Sequence, residues 1–175
     1  MVKWGVISTG TISKAFCDSI RYSKEGKLVA VASRSSKNLK HFSDKYGVAT
    51  YDSYDALLND SAIDAIYIGT PHSSHFDLSL KTLRCGKHLL CEKPMTMNST
   101  EAMILLNEAR RFNLFFMEAF MYRCHPLTHK MVELVKQEFS GQEVLIESSF
   151  GFSADVDEKH RLKNPELGGG SILDI

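Results

Sequence analysis

Three short stretches of this sequence could hold an anion or move a proton. The first, Ser8-Thr9-Gly10-Thr11-Ile12-Ser13, ends a short apolar run and opens a helical pattern. A glycine in such a turn lets the backbone approach a pyrophosphate, which then rests on the positive end of the helix. The dinucleotide fingerprint is G-x-G-x-x-G/A between a strand and a helix. Only the middle glycine, Gly10, is kept here, with Ser8 and Ser13 in the outer places. A plain helix-start turn is the alternative reading.

The second stretch, Ala32-Ser33-Arg34-Ser35-Ser36, ends another apolar run. A fold selective for NAD usually has Asp or Glu there to bond the ribose 2′-hydroxyl. This sequence has no acid at that place. Arg34 can pair with a 2′-phosphate, and Ser35, its serine neighbours and the helix start add donors. The expectation is NADP rather than NAD, against the alternative of a solvated arginine. The third stretch is Leu90-Cys91-Glu92-Lys93-Pro94. A lysine at the carboxyl edge of a sheet can donate to a substrate oxygen or lower the pKa of a neighbouring acid. Alone, the Glu-Lys pair reads as a surface salt bridge.

The elements around these stretches alternate. Strands are expected at 3–8, 27–33, 48–51, 63–69, 87–91 and 114–118. Helices are expected at 11–21, from Ser35 or Ser36 to Tyr46, at 54–59, from Ser73 or Ser74 to about Gly86, and at 101–112 behind a Ser99 or Thr100 cap. The run Lys27-Leu-Val-Ala-Val-Ala-Ser33 is continuously apolar, as in a parallel strand covered on both faces. Strand–helix alternation with short connections predicts an α/β fold, a Rossmann doubly wound parallel sheet. That sheet puts all three stretches at its carboxyl edge.

After Phe120 the pattern changes. A helix is expected over 126–139 and one long strand over 142–152. A lone strand bearing Val144, Ile146, Phe150 and Phe152 has no partner here and would be an aggregation hazard. Residues 1–120 are therefore read as a dinucleotide-binding domain. Residues 121–175 are read as the beginning of a second, α+β substrate domain, incomplete in this chain. Gly168-Gly169-Gly170 precedes an expected helix start.

Composition narrows the classes. The 21 basic and 21 acidic residues cancel, so nothing favours nucleic acid or an anionic membrane. No apolar run reaches membrane-spanning length. The four cysteines form no Cys-x-x-Cys pair and sit near no histidine at zinc spacing. No metal is expected, and reduced thiols fit the cytoplasm.

Trp4 to Gly10, Gly69-Thr70-Pro71-x-x-x-His75, Cys91-Glu92-Lys93-Pro94, Met117-Glu118-Ala119 and Gly168 to Ile175 occur in one order. That series resembles the glucose–fructose oxidoreductase/inositol dehydrogenase/MocA-type family along the whole chain. The resemblance implies an NADP-dependent dehydrogenase acting on CH–OH or CH–CH donors, with a diol or sugar as substrate. It implies cofactor contacts from Ser8, Gly10, Thr11, Ile12, Arg34, Ser35, Thr70, Pro71, His75, Glu92, Lys93 and Pro94. It makes Lys93 catalytic and Asp174 a substrate-side residue. The family's tyrosine or histidine acid/base comes four residues after Asp174, beyond Ile175. A homodimer is implied for a complete chain through a sheet absent from this one, which leaves this chain without that interface. A non-catalytic NADP(H)-binding module is the competing expectation. A Rossmann-like methyltransferase shares the glycine turn but gives Arg34 and Glu92-Lys93-Pro94 no role.

Overall fold

The computed structural model describes residues 1–139, 141, 145, 147–151, 153, 155–157, 160 and 162–170. Six strands form one sheet: β1 Val2–Ile7, β2 Gly26–Ala32, β3 Ala49–Tyr51, β4 Ala65–Ile68, β5 His88–Cys91 and β6 Phe116–Glu118. Their order is β3-β2-β1-β4-β5-β6, and every neighbouring pair is parallel. The helices between them are α1 Thr11–Ile20, α2 Ser36–Tyr46, α3 Tyr54–Leu58, α4 His75–Arg84 and α5 Ser99–Arg111. The strand order reverses between β1 and β4, which opens a crevice beyond their carboxyl ends.

Burial explains the continuous apolar strands. Ile7, Ile66, Ile68 and Leu89 pack with Leu57, Leu58, Leu83 and Leu105 in one cluster. Val6, Val31 and Tyr67 pack with Cys17, Leu39 and Phe42 in a second. Adjacent residues such as Val6 and Ile7 thus serve opposite faces, so neither can be polar.

Local signals set several helix ends. The Ser35 hydroxyl accepts the Asn38 N–H and starts α2, and Gly47, at φ 64°, ends it. Ser53 caps α3 in the same way. The cap of α5 is Asn98, not Ser99 or Thr100. Its Oδ1 accepts the Glu101 N–H at 3.0 Å, while Glu101 accepts the Met97 N–H at 3.1 Å. The amide and the glutamate three residues on each take one backbone donor at the helix entry, so the helix starts at Ser99, two residues before the expected 101. A single 3₁₀ turn, His72–Ser74, precedes α4 and delays its start to His75.

Beyond the sheet, α6 spans Pro126–Glu138 as expected. The expected strand over 142–152 falls partly on residues outside those described. Leu145 and 147–151, which are described, are not in a strand. Leu145 and Phe150 are exposed, and no described strand lies beside them to pair with. The helix expected after Gly170 also lies outside the described residues.

The cysteines divide cleanly. Cys17 and Cys91 are buried, and burial pushes both thiols up to about 12, whereas Cys85 and Cys124 are exposed. A thiol-reactive disulfide reagent at pH 8 is therefore expected to modify two thiols rapidly and the other two only on unfolding. Fast reaction at all four would contradict this packing. Among the described residues no helix is long and apolar enough to cross a membrane, and no group of three His, Cys, Asp or Glu is placed to hold a metal.

Candidate functional site

The turn after β1 is built without two of the three fingerprint glycines. Ser8 sits at φ 101°, a conformation that favours glycine, and its hydroxyl accepts the Gly10 N–H at 3.0 Å. Gly10 is the N-cap of α1 and brings no capping side chain, so none crosses the helix end. A Cβ on Gly10 would stand 3.3 Å from the Ser8 hydroxyl and narrow the turn.

The third glycine normally allows close helix–strand packing. Here Ser13 holds that place, fully buried, with its hydroxyl 3.4 Å from the Gly69 carbonyl. The space comes from the other side. A Cβ on Gly69 would run into the Ser13 hydroxyl and stand 3.0 Å from the Tyr67 ring. The glycine needed for the approach has moved from the helix to the end of the neighbouring strand.

The ends of β1 and β2 meet in one cleft of about 780 Å³, lined by Ser8, Thr9, Ser33, Arg34, Ser35, Thr70 and Pro71 among others. The turn after β1 and Arg34 therefore face the same space. Arg34 is exposed at its rim and Ser33 is buried in its wall. The far wall is α4, which brings Asp77, Lys81 and Arg84. Lys81 pairs with Asp55 and Arg84 with Glu108, each at 3.0 Å.

A second cleft of about 650 Å³ shares Ser8, Thr70 and Pro71 with the first and continues to Gly10, Thr11, Ile12, Glu92 and Lys93. Together they form one trough across the switch point. Glu92 is held firmly in it. The buried Tyr67 hydroxyl donates to Oε1 at 2.7 Å and the Lys93 N–H to Oε2 at 3.3 Å. Burial, then the Glu92 carboxylate, pushes the Tyr67 hydroxyl far up, so it stays a donor. Its ring stacks on Phe16 with centroids 4.0 Å apart.

His75 and Pro94 differ from the expectation of direct contact. His75 is fully buried, with Nδ1 2.7 Å from the Pro94 carbonyl and Nε2 2.8 Å from the Thr70 carbonyl. Both ring nitrogens are occupied by backbone, so His75 braces the loops after β4 and β5 from behind. Pro94 follows a cis peptide bond and presents its carbonyl to that brace. Neither residue lines either cleft. Asp174 lies outside the described residues.

Sequence reasoning took Gly69 only as the start of the Gly69-to-His75 stretch, and it overlooked Tyr67, His72 and His160 as parts of the site. His72 and His160 line the second cleft, and the Gly168 carbonyl lies 3.4 Å from His72 Nδ1. A tyrosine inside a continuously apolar strand was the one available signal. The histidines had none, because they come from segments far apart in the chain.

The fold and trough define a dinucleotide-binding α/β protein. Residues 2–120 match the GFO/IDH/MocA oxidoreductase family, NAD-binding Rossmann fold, and the chain belongs to that family. It is 37% identical over 176 residues to a trans-1,2-dihydrobenzene-1,2-diol dehydrogenase of Xenopus tropicalis, an alignment covering 99% of this chain and 53% of that protein. It is 33% identical to a D-xylose 1-dehydrogenase (NADP(+)) of Hypocrea jecorina, covering 99% and 50%. The chain spans about half the length of the curated relatives it matches. Among solved structures, the 3-ketoreductase KijD10 of Actinomadura kijaniata in complex with NADP superposes with TM-score 0.74 at 30% identity, covering 78% of this chain and 44% of that one. An NAD-binding protein from Listeria innocua superposes with TM-score 0.81 at 26% identity, covering 99% and 51%.

Proposed function

We propose that this chain binds NADP(H) in the trough and serves a dehydrogenase that acts on the CH–OH group of a diol or sugar. The observation that carries the reading is the cleft shared by Ser8, Thr9 and Arg34, with no acid at the end of β2. The residues fit the group. Gly10, Thr11 and Ile12 offer an uncapped helix start to a pyrophosphate. Arg34 and Ser35 would flank a ribose 2′-phosphate, and Thr70 and Pro71 line both clefts between the two ends. When bound, the nicotinamide accepts or gives a hydride.

The chain's own part is to bind, orient and supply charge. Lys93 stands beside Glu92 at the nicotinamide end, where an ammonium can donate to the substrate oxygen and favour its alkoxide form. Glu92, fixed by Tyr67, orients that end of the cleft. His75 keeps its two loops at a set spacing. Residues 1–120 are read as the dinucleotide-binding domain and 121–175 as the opening of a substrate domain. Reduced thiols suit a cytoplasmic protein, and the family likeness suits a homodimer for the complete enzyme.

A fluorescence titration tests the reading. NADPH is expected to bind saturably to the purified chain and more tightly than NADH. Absence of saturable NADPH binding would overturn it.

A further inference from the structure

Glu118 lines neither cleft, yet it reaches the turn that carries Lys93. It ends β6 opposite Cys91, the last residue of β5, and the Ala119 N–H extends the pairing onto the Cys91 carbonyl at 2.8 Å. That register sets the Glu118 carboxylate beside the residues that follow Cys91. Its Oε1 accepts the half-buried Met95 N–H at 2.8 Å, a charge-assisted bond. An apolar side chain at this position would leave that N–H without its acceptor.

The Pro94 carbonyl and the Met95 N–H belong to one planar peptide group. His75 Nδ1 lies 2.7 Å from the oxygen of that group, and Glu118 Oε1 lies 2.8 Å from its nitrogen. A planar group held at both polar ends cannot swing about its flanking bonds without breaking one contact. Hydrogen bonds in series also polarise one another, so a carboxylate on the N–H makes the carbonyl a better acceptor. The series runs on through the His75 ring, whose Nε2 is 2.8 Å from the Thr70 carbonyl. It joins the end of β6 to the loops after β5 and β4. The other side of Lys93 is held as well. Its own N–H donates to Glu92 Oε2 at 3.3 Å, and Glu92 accepts the Tyr67 hydroxyl. A lysine carries its ammonium on a flexible four-carbon stem, so the charge is placed only as well as the main chain beneath it.

We propose that Glu118 is a positioning residue: through the Pro94–Met95 peptide it fixes the Glu92-Lys93-Pro94 turn at the nicotinamide end of the trough. The inference rests on the NADP(H) reading above and adds to it a residue that stands outside both clefts. Supporting residues of this kind hold a binding group in its working geometry without touching the ligand. Glu118 and His75 share the task, one at each end of the same peptide.

Paired titrations of the intact chain with NADPH and with 2′-phospho-ADP-ribose, which lacks the nicotinamide ring, test the role. Glu118→Ala is expected to weaken NADPH by about threefold to tenfold, the range of one hydrogen bond, with 2′-phospho-ADP-ribose changed less than about twofold. The emission of the bound reduced nicotinamide is expected to change with it, because the ring's surroundings move. Glu118→Gln keeps a carbonyl acceptor for the Met95 N–H and is expected to restore both readings. Where the alanine variant does not fold, Glu118→Asp, one methylene short of that N–H, is read in its place. If the variant weakens both ligands equally, or neither, and the nicotinamide emission is unchanged, Glu118 supports the strand end only. The positioning role is then overturned and the NADP(H) reading stands. If wild type binds neither ligand, the two fall together.

Discussion

Replacing Arg34 with alanine is expected to weaken NADPH binding by roughly tenfold to a hundredfold and to leave NADH within about twofold, because a charge-assisted hydrogen bond is worth about 1.5–3 kcal/mol. Arg34 stands at the end of β2 on the rim of the first cleft, with Ser33 beneath it and the start of α2 beside it. The side chain is exposed, so solvent and salt screen it, and the effect belongs toward the lower end of that range. Two controls separate this contact from general damage. Raising the ionic strength should shrink the wild-type preference for NADPH and leave the variant's affinities close together. Arg34→Lys should fall between wild type and alanine, because an ammonium keeps the charge but loses the planar fork. Equal losses for NADPH and NADH in the alanine variant would remove Arg34 from the 2′-phosphate contact.

Gly69→Ala is expected to destabilise the chain by about 1–3 kcal/mol, the usual cost of forcing a methyl into a packed interior. For a chain of this size that lowers the melting temperature by about 2–4 °C per kcal/mol. Ser13 is fully buried against Gly69, the Tyr67 ring would be 3.0 Å from the new Cβ, and Ile12 Cγ2 3.2 Å. The easiest relief is to push the start of α1 off the sheet, which also disturbs the helix end proposed to meet a pyrophosphate. Ser13→Gly removes the colliding hydroxyl and places a glycine where the fingerprint has one. The double variant should therefore be more stable than the sum of the two singles predicts, by about 0.5–3 kcal/mol of coupling. Additive thermal shifts would mean that the approach of α1 to β4 is not what requires Gly69.

The Tyr67–Glu92 contact and the Ser13–Gly69 approach share a property that explains their invisibility in sequence. Each joins residues 25 or 56 positions apart, and each replaces a familiar local pattern with an unfamiliar pair. Residue type gives no warning of such a pair. A serine at a glycine position looks like a weakened motif until the strand opposite is known to lack a side chain. His75 shows the same limit in reverse. Its place in the Gly69-to-His75 stretch suggested contact with a ligand, yet its ring spans two backbone carbonyls behind the cleft.

What the amino-acid order determined by itself is the local layer. Apolar runs of strand length, helical periodicity and caps such as Ser35, Gly47 and Ser53 act within a few residues of themselves. From them follow the strand–helix alternation, the parallel sheet and the placing of Ser8–Gly10 and Arg34 at one edge. Tertiary structure alone decided which loops meet across the switch point, which side chains brace rather than touch, and where the close-packing glycine sits. Those outcomes depend on packing free energies between distant segments, and no window of neighbouring residues contains them.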